Sequence, residues 1–514
     1  SERPVYLWIK DDQVELRSAE HLWGLETADV EEKLREELGE RRLRVSQCGP
    51  AGERLVRVAN VMHDATRAAG RTGLGAVMGS KKLKAVVVRG TQRPTVEEPE
   101  ALSAIAKWFR DHYMETGSAT FATVGTMRMV RVHQAAGGLP TRNFQQGVFE
   151  GWENLTVERM METINIDRDT CYACPVRCKF VTEVKEGKYR VDPKYGGPEY
   201  ETTGALGPNC GIDNLELVAY LSQMCNANGL DSIGLGMTVS FAMECFERGI
   251  ITTEDTGGIE LRFGNEEALV TIIRQIIARE GFGDVLAEGS LRAAKAIGRG
   301  AERYAVEIKG QEAPMHDPRI KYGHSIGYAV SPTGADHMHN IHDGAYTTKG
   351  GIAGVEPFGI IEPLPADDLS VDKARLVRYG TLVRLIDNLT GMCMFMGFSP
   401  EQKVDIIRAI TGWETGIADL FLAAERAYDM ARAFNAREGF GPEDDVLPPR
   451  FFEPQPDGPI AGKTIPKDAF RSALAAFYAM MGWDAVTAAP TRGKLLDLSL
   501  GWVADLLDGA GAGA

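Results

Sequence analysis

Three cysteines stand within eight residues, Cys171, Cys174 and Cys178 of the segment TCYACPVRCKF. The C-x2-C-x3-C spacing asks for one tight turn whose sulfurs converge, and thiolates so placed can wrap a single iron–sulfur cluster. Such a turn cannot stand alone, so the rest of the chain must hold it rigidly. Eight cysteines in 514 residues are far too few for a disulfide scaffold. Clustered thiols in a long acidic chain instead indicate a metal site in a reducing, cytoplasmic compartment. Zinc held with a distant histidine is the alternative, although zinc more often shows two CxxC or CxxH pairs. A [4Fe–4S] cluster wants a fourth thiolate, and Cys393 in DNLTGMCMF is the candidate. Cys210, Cys225 and Cys245 lie in apolar helical contexts and read as small core residues.

The length corresponds to about three domains. At 44% hydrophobic and 25% charged the composition is that of a globular protein, which excludes disorder, collagen and coiled coil as the main content. A net charge of −15 argues against nucleic acid as a partner. No apolar run reaches about 18 residues, so no membrane span is expected, and SERPVYLWIK has no signal-peptide pattern.

The front of the chain is β-rich. PVYLWI (4–9) and QVELR (13–17) predict a hairpin turning at Lys10–Asp12, and 54–63 is again apolar and β-rich. Residues 28–39 repeat their apolar positions at helical spacing. The Gly-rich RAAGRTGLGAVMGSKK precedes a strand, KAVVVRG, rather than following one, so it is no Rossmann fingerprint. Helical patterns then dominate at 101–114, 214–228, 234–248, 266–280 and 367–446. Polar joints near 95–101 and 309–319 divide the chain into 1–96, 97–305 and 306–514. The Pro-rich 448–466 is expected to lie on the surface as an arm, and the terminal DGAGAGA to be disordered.

Three segments are polar within apolar surroundings. GPEYETTGALGPNCGIDN carries Glu201, either a buried carboxylate suited to proton transfer or a charge at a helix N-terminus. MCNANGLDSIG offers Asn226, Asp231 and Ser232 at a helix–loop–helix junction, as ligand contacts or as caps. SPTGADHMHNIHD carries His337, His339 and His342, and five of the nine histidines fall between His316 and His342. An HxH pair on a strand would chelate a metal, but proton transfer near neutral pH is the better reading.

These segments, in this order, resemble the tungsten-containing aldehyde:ferredoxin oxidoreductases. The signatures are RAAGRTGLGAVMGSKKLKAV, CYACPVRC, GPEYETTGALGPNCGIDNLE, GLDSIG, REGFGDVLAEGS, APMHDPR, GADHMHN and LIDNLTGMCMF. The resemblance implies an α+β fold: the later part of a β-rich pterin-binding domain, then two largely helical domains. It implies a tungsten (or molybdenum) ion held by two pterins, a [4Fe–4S] cluster on Cys171, Cys174, Cys178 and Cys393, and Mg2+ bridging the pterin phosphates. Pterin contacts carry over to Arg67, Ala68, Asn226, Asp231, Ser232, His339, Asp387 and Met394, and the catalytic pair to Glu201 and His337.

The implied reaction oxidises a small aldehyde to its carboxylate, with electrons leaving through the cluster to ferredoxin or an electron-transfer subunit, in a homo- or hetero-oligomer. The alternatives are a benzoyl-CoA reductase-type tungsten subunit of a larger complex and a truncated, cluster-only member. The sequence departs from the family pattern in places. Asn226 replaces the usual Asp and His339 the usual Lys. One extra residue in LIDNLTGMC leaves Asp387 and Asn388 both eligible for one pterin contact. Tyr220 stands where some homodimeric members ligate an interface iron, so that iron is not expected. The family pattern also places roughly a hundred residues before PVYLWIK, so the first region is expected to be the latter part of a domain.

Overall fold

The structure, a computed structural model, describes residues 2–352 and 354–511. Contacts gather them into two compact units. The first comprises 1–94, 123–315 and 456–459, and the second 95–122, 316–455 and 460–514.

The first unit opens with the expected hairpin. β1 (Val5–Lys10) pairs antiparallel with β2 (Gln13–Ser18) and parallel with β6 (Leu83–Arg89). β3 (Arg44–Cys48), β4 (Val61–His63) and β5 (Arg67–Ala69) complete a six-stranded sheet ordered β2-β1-β6-β3-β4-β5. Alternation along the strands puts Tyr6, Trp8, Val45 and Val87 on one face. There they pack against Val30 and Leu34 of the helix Thr27–Leu38. The segment 54–63 is a strand only over Val61–His63. Ala59 and Asn60 are engaged elsewhere, Ala59 bridging to Leu230 and Asn60 N–H donating to Gly229 O at 2.9 Å.

That contact depends on glycine. Gly229 ends the helix Leu215–Asn228 at φ +70°, and a Cβ on Gly49 would lie 2.2 Å from Asn228 O. The helix–loop–helix junction therefore lies directly against the end of β3. Helix Ser232–Glu247 follows, apolar on nearly every side and almost wholly buried, as expected of a central core helix. Cys48, Cys210, Cys225 and Cys245 are buried.

The second unit is helical. Val371–Thr390, Pro400–Thr411, Ile417–Arg437 and Lys467–Met481 are its main helices. Its core includes Ile326, Val330, Ile341, Val377, Phe477 and Trp483. Gly391 closes the first helix in the left-handed conformation, and Ser399 opens the second with a capping box to Gln402. The turn carrying Cys393 and Met394 hangs between these two stops.

Segment 448–466, expected as a surface arm, packs inward over 447–455 instead. Phe451 is fully buried, Arg319 Nη1 donates to the carbonyls of Arg450 and Glu453, both at 3.3 Å, and Gln455 donates to Asp317 at 3.0 Å. Helix Gly501–Gly511 takes in the start of DGAGAGA, and 512–514 lie outside the described residues.

Candidate active site

The three clustered thiols sit in the loop joining β7 (Asn165–Asp169) to β8 (Lys179–Thr182). Cys174 N–H donates to Cys171 O at 3.1 Å, and Thr170 Oγ1 donates to Cys174 O at 2.6 Å. Ala173 and Arg177 take positive φ values of 53° and 48°, which curl the loop tightly. Unlike the other four cysteines of this unit's core, Cys171 is exposed and Cys174 and Cys178 are half-buried, so the sulfurs are accessible to a ligand.

Beside this loop, Arg67 of the edge strand β5 reaches Asp169 Oδ2 at 2.9 Å, and its proximity to Asp169 and Cys171 helps to hold it charged against partial burial. Its buried Nε has no hydrogen-bond partner among the described residues. Ala68, its neighbour, sits on the same outermost strand. Lys179, next to Cys178, pairs with Glu199 at 2.8 Å. Burial works to raise the Glu199 pKa, but the Lys179 charge and the Thr126 hydroxyl hold it below the usual carboxylate range.

Glu201 occupies the first turn of the short helix Tyr200–Leu206, so of its two sequence readings the helix-terminal one describes its location. Its carboxylate nonetheless has a specific partner: Met315 N–H donates to Oε2 at 2.8 Å. The neighbouring Tyr200 hydroxyl donates to Met315 O at 2.5 Å, so consecutive residues grip both ends of one backbone unit. With its one proton spent there, Tyr200 accepts from His133 Nδ1. Gly204 faces Met315 at a distance no side chain allows, since a Cβ would lie 2.7 Å from Met315 Cγ.

Asp231 caps helix Ser232–Glu247 through Ile233 N–H and pairs with Arg71 at 3.2 Å. Ser232 Oγ lies 2.7 Å from Thr202 Oγ1, which ties this junction to the helix bearing Glu201. Asn226 donates to Tyr195 O at 2.9 Å. The first unit thus gathers Arg67 and Ala68 with the thiol loop, and Asn226, Asp231 and Ser232 with Glu201's helix.

In the second unit, His337 lies in a nest of imidazoles. Ring centroids are 5.1 Å apart for His316–His337, 4.8 Å for His316–His342 and 4.6 Å for His324–His342. Lys321 Nζ donates to His316 Nδ1 at 2.8 Å. Enclosure, with the charges of Lys321, His337 and Arg384, holds the His342 pKa well below the ordinary histidine value. The segment is turn and bend, not strand, so the HxH chelate geometry does not form. His339 Nδ1 lies 3.5 Å from Asp336, while its buried Nε2 has no partner among the described residues.

Asp387 is buried and Asn388 exposed. Sequence reasoning missed the partner of Asp387, the Lys403 ammonium, and a more distant Arg384 at 3.9 Å. It also missed Lys321, Arg71 and Lys179. The one available signal was the density of histidines.

Two family models match: the N-terminal domain of aldehyde ferredoxin oxidoreductase over residues 1–90, and its domains 2 and 3 over residues 100–500. The chain belongs to the aldehyde ferredoxin oxidoreductase family. It is 36% identical over 496 residues to the tungsten-containing aldehyde ferredoxin oxidoreductase of Thermococcus kodakarensis, covering 94% of this chain and 78% of that one. The Pyrococcus abyssi enzyme of the same name is 37% identical, with coverage of 97% and 80%. An aliphatic sulfonate oxidoreductase, WOR-like subunit, from Pyrococcus furiosus is 30% identical, with coverage of 94% and 76%. The active site complex BamBC of benzoyl coenzyme A reductase with 1,5 dienoyl-CoA superposes with a TM-score of 0.81 at 25% identity, covering all of this chain and 82% of that one. The protein is thus an oxidoreductase of a tungsten-enzyme family with a mixed α+β fold. No helix among the described residues is long and apolar enough to cross a membrane.

Family membership implies a tungsten–pterin centre, and local chemistry fits one. Accessible thiols on a curled loop suit a cluster. The orphaned Arg67 Nε, a donor, and His339 Nε2, a donor or acceptor according to tautomer, are polar atoms that burial makes costly without a partner. The outermost strand β5 has one side free of the sheet ladder.

Proposed function

We propose that this enzyme oxidises an aldehyde to the carboxylate and passes the electrons to ferredoxin or an electron-transfer subunit. The observation that carries the reading is Glu201, a carboxylate that accepts the Met315 backbone N–H, in a chain 36% identical to a tungsten-containing aldehyde ferredoxin oxidoreductase. The tungsten–pterin centre supplies the two-electron redox chemistry when bound, with a [4Fe–4S] cluster relaying electrons singly.

The remaining roles belong to this chain. Glu201 accepts a proton from the attacking water, and Met315 N–H keeps the carboxylate aimed. His337 hydrogen-bonds the carbonyl oxygen and stabilises the charge developing there. Cys171, Cys174, Cys178 and Cys393 ligate the cluster. Arg67, Ala68, Asn226, Asp231, Ser232, His339, Asp387 and the Met394 backbone would hold the pterins, with Ala68 among the residues that would serve their Mg2+. Regions 1–96, 97–305 and 306–514 correspond to the family's three domains.

Purified protein should contain tungsten or molybdenum with iron and reduce a viologen dye with free aldehydes. A protein holding zinc alone would sink this reading. The likeness to the BamBC complex supports a second one, a tungsten subunit acting within a larger assembly. Metal-loaded protein inactive on every free aldehyde until partner subunits are added would favour that alternative.

A further inference from the structure

A cavity of about 700 Å³ lies within the second unit, inside the size range of small-molecule sites. Its walls include Trp108, Tyr346, Val355 and Phe398, an aromatic and aliphatic surface suited to a flat apolar body. Met394 also lines it, and this is the residue whose backbone is assigned above to a pterin. The cavity therefore borders the cofactor-binding segment.

The two charged residues in its lining are Arg384 and Lys403. They are not equivalent. Lys403 is paired with the buried carboxylate of Asp387, and that pair is neutral. Arg384 Nη1 stands 3.9 Å from Asp387, beyond hydrogen-bond distance. Its guanidinium makes no hydrogen bond among the described residues. A planar fork of donors therefore faces an apolar cavity with one positive charge left over. Its field reaches His342 and Tyr346, and in both it favours the more negative form. A guanidinium in this setting matches a carboxylate, which accepts two of its N–H groups side by side.

We propose that this cavity binds a substrate's carboxylate, so that the enzyme prefers aldehydes carrying a carboxylate on an apolar, aryl-sized body. This rests on the aldehyde-oxidising reading above and adds to it a substrate class. Arg384 is the specificity-determining residue, and the aromatic walls hold the ring.

Two measurements on the metal-loaded enzyme test it. In the first, calorimetry compares 4-(hydroxymethyl)benzoate with benzyl alcohol, an unreactive pair differing by one carboxylate. The carboxylate should bind about tenfold tighter or more, the scale of a hydrogen bond to a charged group. Arg384→Met should abolish that difference and Arg384→Lys restore part of it. In the second, kcat/KM for 4-formylbenzoate should exceed that for benzaldehyde by a similar factor, and Arg384→Met should collapse the ratio.

Equal binding of the pair, or a preference untouched by Arg384→Met, would overturn the proposal. Loss of tungsten from Arg384→Met would overturn it too, by assigning the guanidinium to the cofactor. If the carboxylate binds through Arg384 but neither aldehyde is oxidised, the anion site stands and aldehyde oxidation fails.

Discussion

Replacing Glu201 by Gln removes a proton acceptor while keeping its structural contact. The amide oxygen of Gln can still receive Met315 N–H where the carboxylate now does at 2.8 Å. The folded state should therefore lose less than about 1 kcal/mol, the difference between a charge-assisted and a neutral hydrogen bond. A positioned general base is worth about 10²- to 10⁴-fold in rate, or roughly 3–5 kcal/mol of barrier. Turnover should fall by that factor with melting temperature and metal content nearly unchanged. Glu201→Leu separates the two roles. It is equally inactive but strands the Met315 N–H, and should cost a further 1–3 kcal/mol or about that in stability. Steady-state kinetics, thermal melts and metal analysis on all three proteins decide the matter. A fully loaded Gln variant within about threefold of parent turnover would refute Glu201 as the base, since no general-base role is worth so little.

Three further outcomes are expected. Burial raises Asp429 to a pKa of about 7, against which Trp483 Nε1–H donates at 2.6 Å. The unfolded chain releases this proton near pH 4 and the folded one near pH 7, so stability falls as pH rises through that window. The full loss is about 4 kcal/mol at 1.36 kcal/mol per unit. Asp429→Asn should remove this fall, and denaturation midpoints of parent and variant should diverge from pH 5 to pH 8; parallel curves would contradict it. Gly204→Ala should destabilise by about 1–3 kcal/mol through overpacking on Met315, whose Cβ and Cγ lie 2.9 and 2.7 Å from the new carbon. It should also slow turnover by shifting the residue that holds Glu201. Cys174→Ala should lose cluster iron, and unchanged iron content would remove that residue from the ligand set.

Local features were legible in the sequence and long-range ones were not. The β1–β2 hairpin and the helix Thr27–Leu38 follow from periodicity over a dozen residues or fewer. The cysteines of apolar helices proved buried because their neighbours are apolar at helical spacing. The thiol triplet lies on one loop because its spacing leaves little alternative. Segment 448–466 misled because prolines signal exposure, while its burial depends on Arg319, more than a hundred residues away. The same holds for 54–63, where apolar composition signals a strand but Asn60 spends its N–H on Gly229. Arg384 and Lys403 carry no motif at all. Their importance arises when two helices bring them to one cavity, with a single carboxylate between two cations.

The eight thiols are sorted by environment. Burial pushes Cys48 and Cys245 up to about 12, and Cys210 and Cys225 further still. These four stay protonated and unreactive at any working pH. Of the other four, Cys171 and Cys393 are exposed and Cys174 and Cys178 partly so, and they are the residues assigned to the cluster. Alkylating reagents applied to the native protein thus have one small population to find. The count of labels taken up becomes a gauge of how many molecules in a preparation have lost their iron, readable by mass spectrometry without any enzymatic assay.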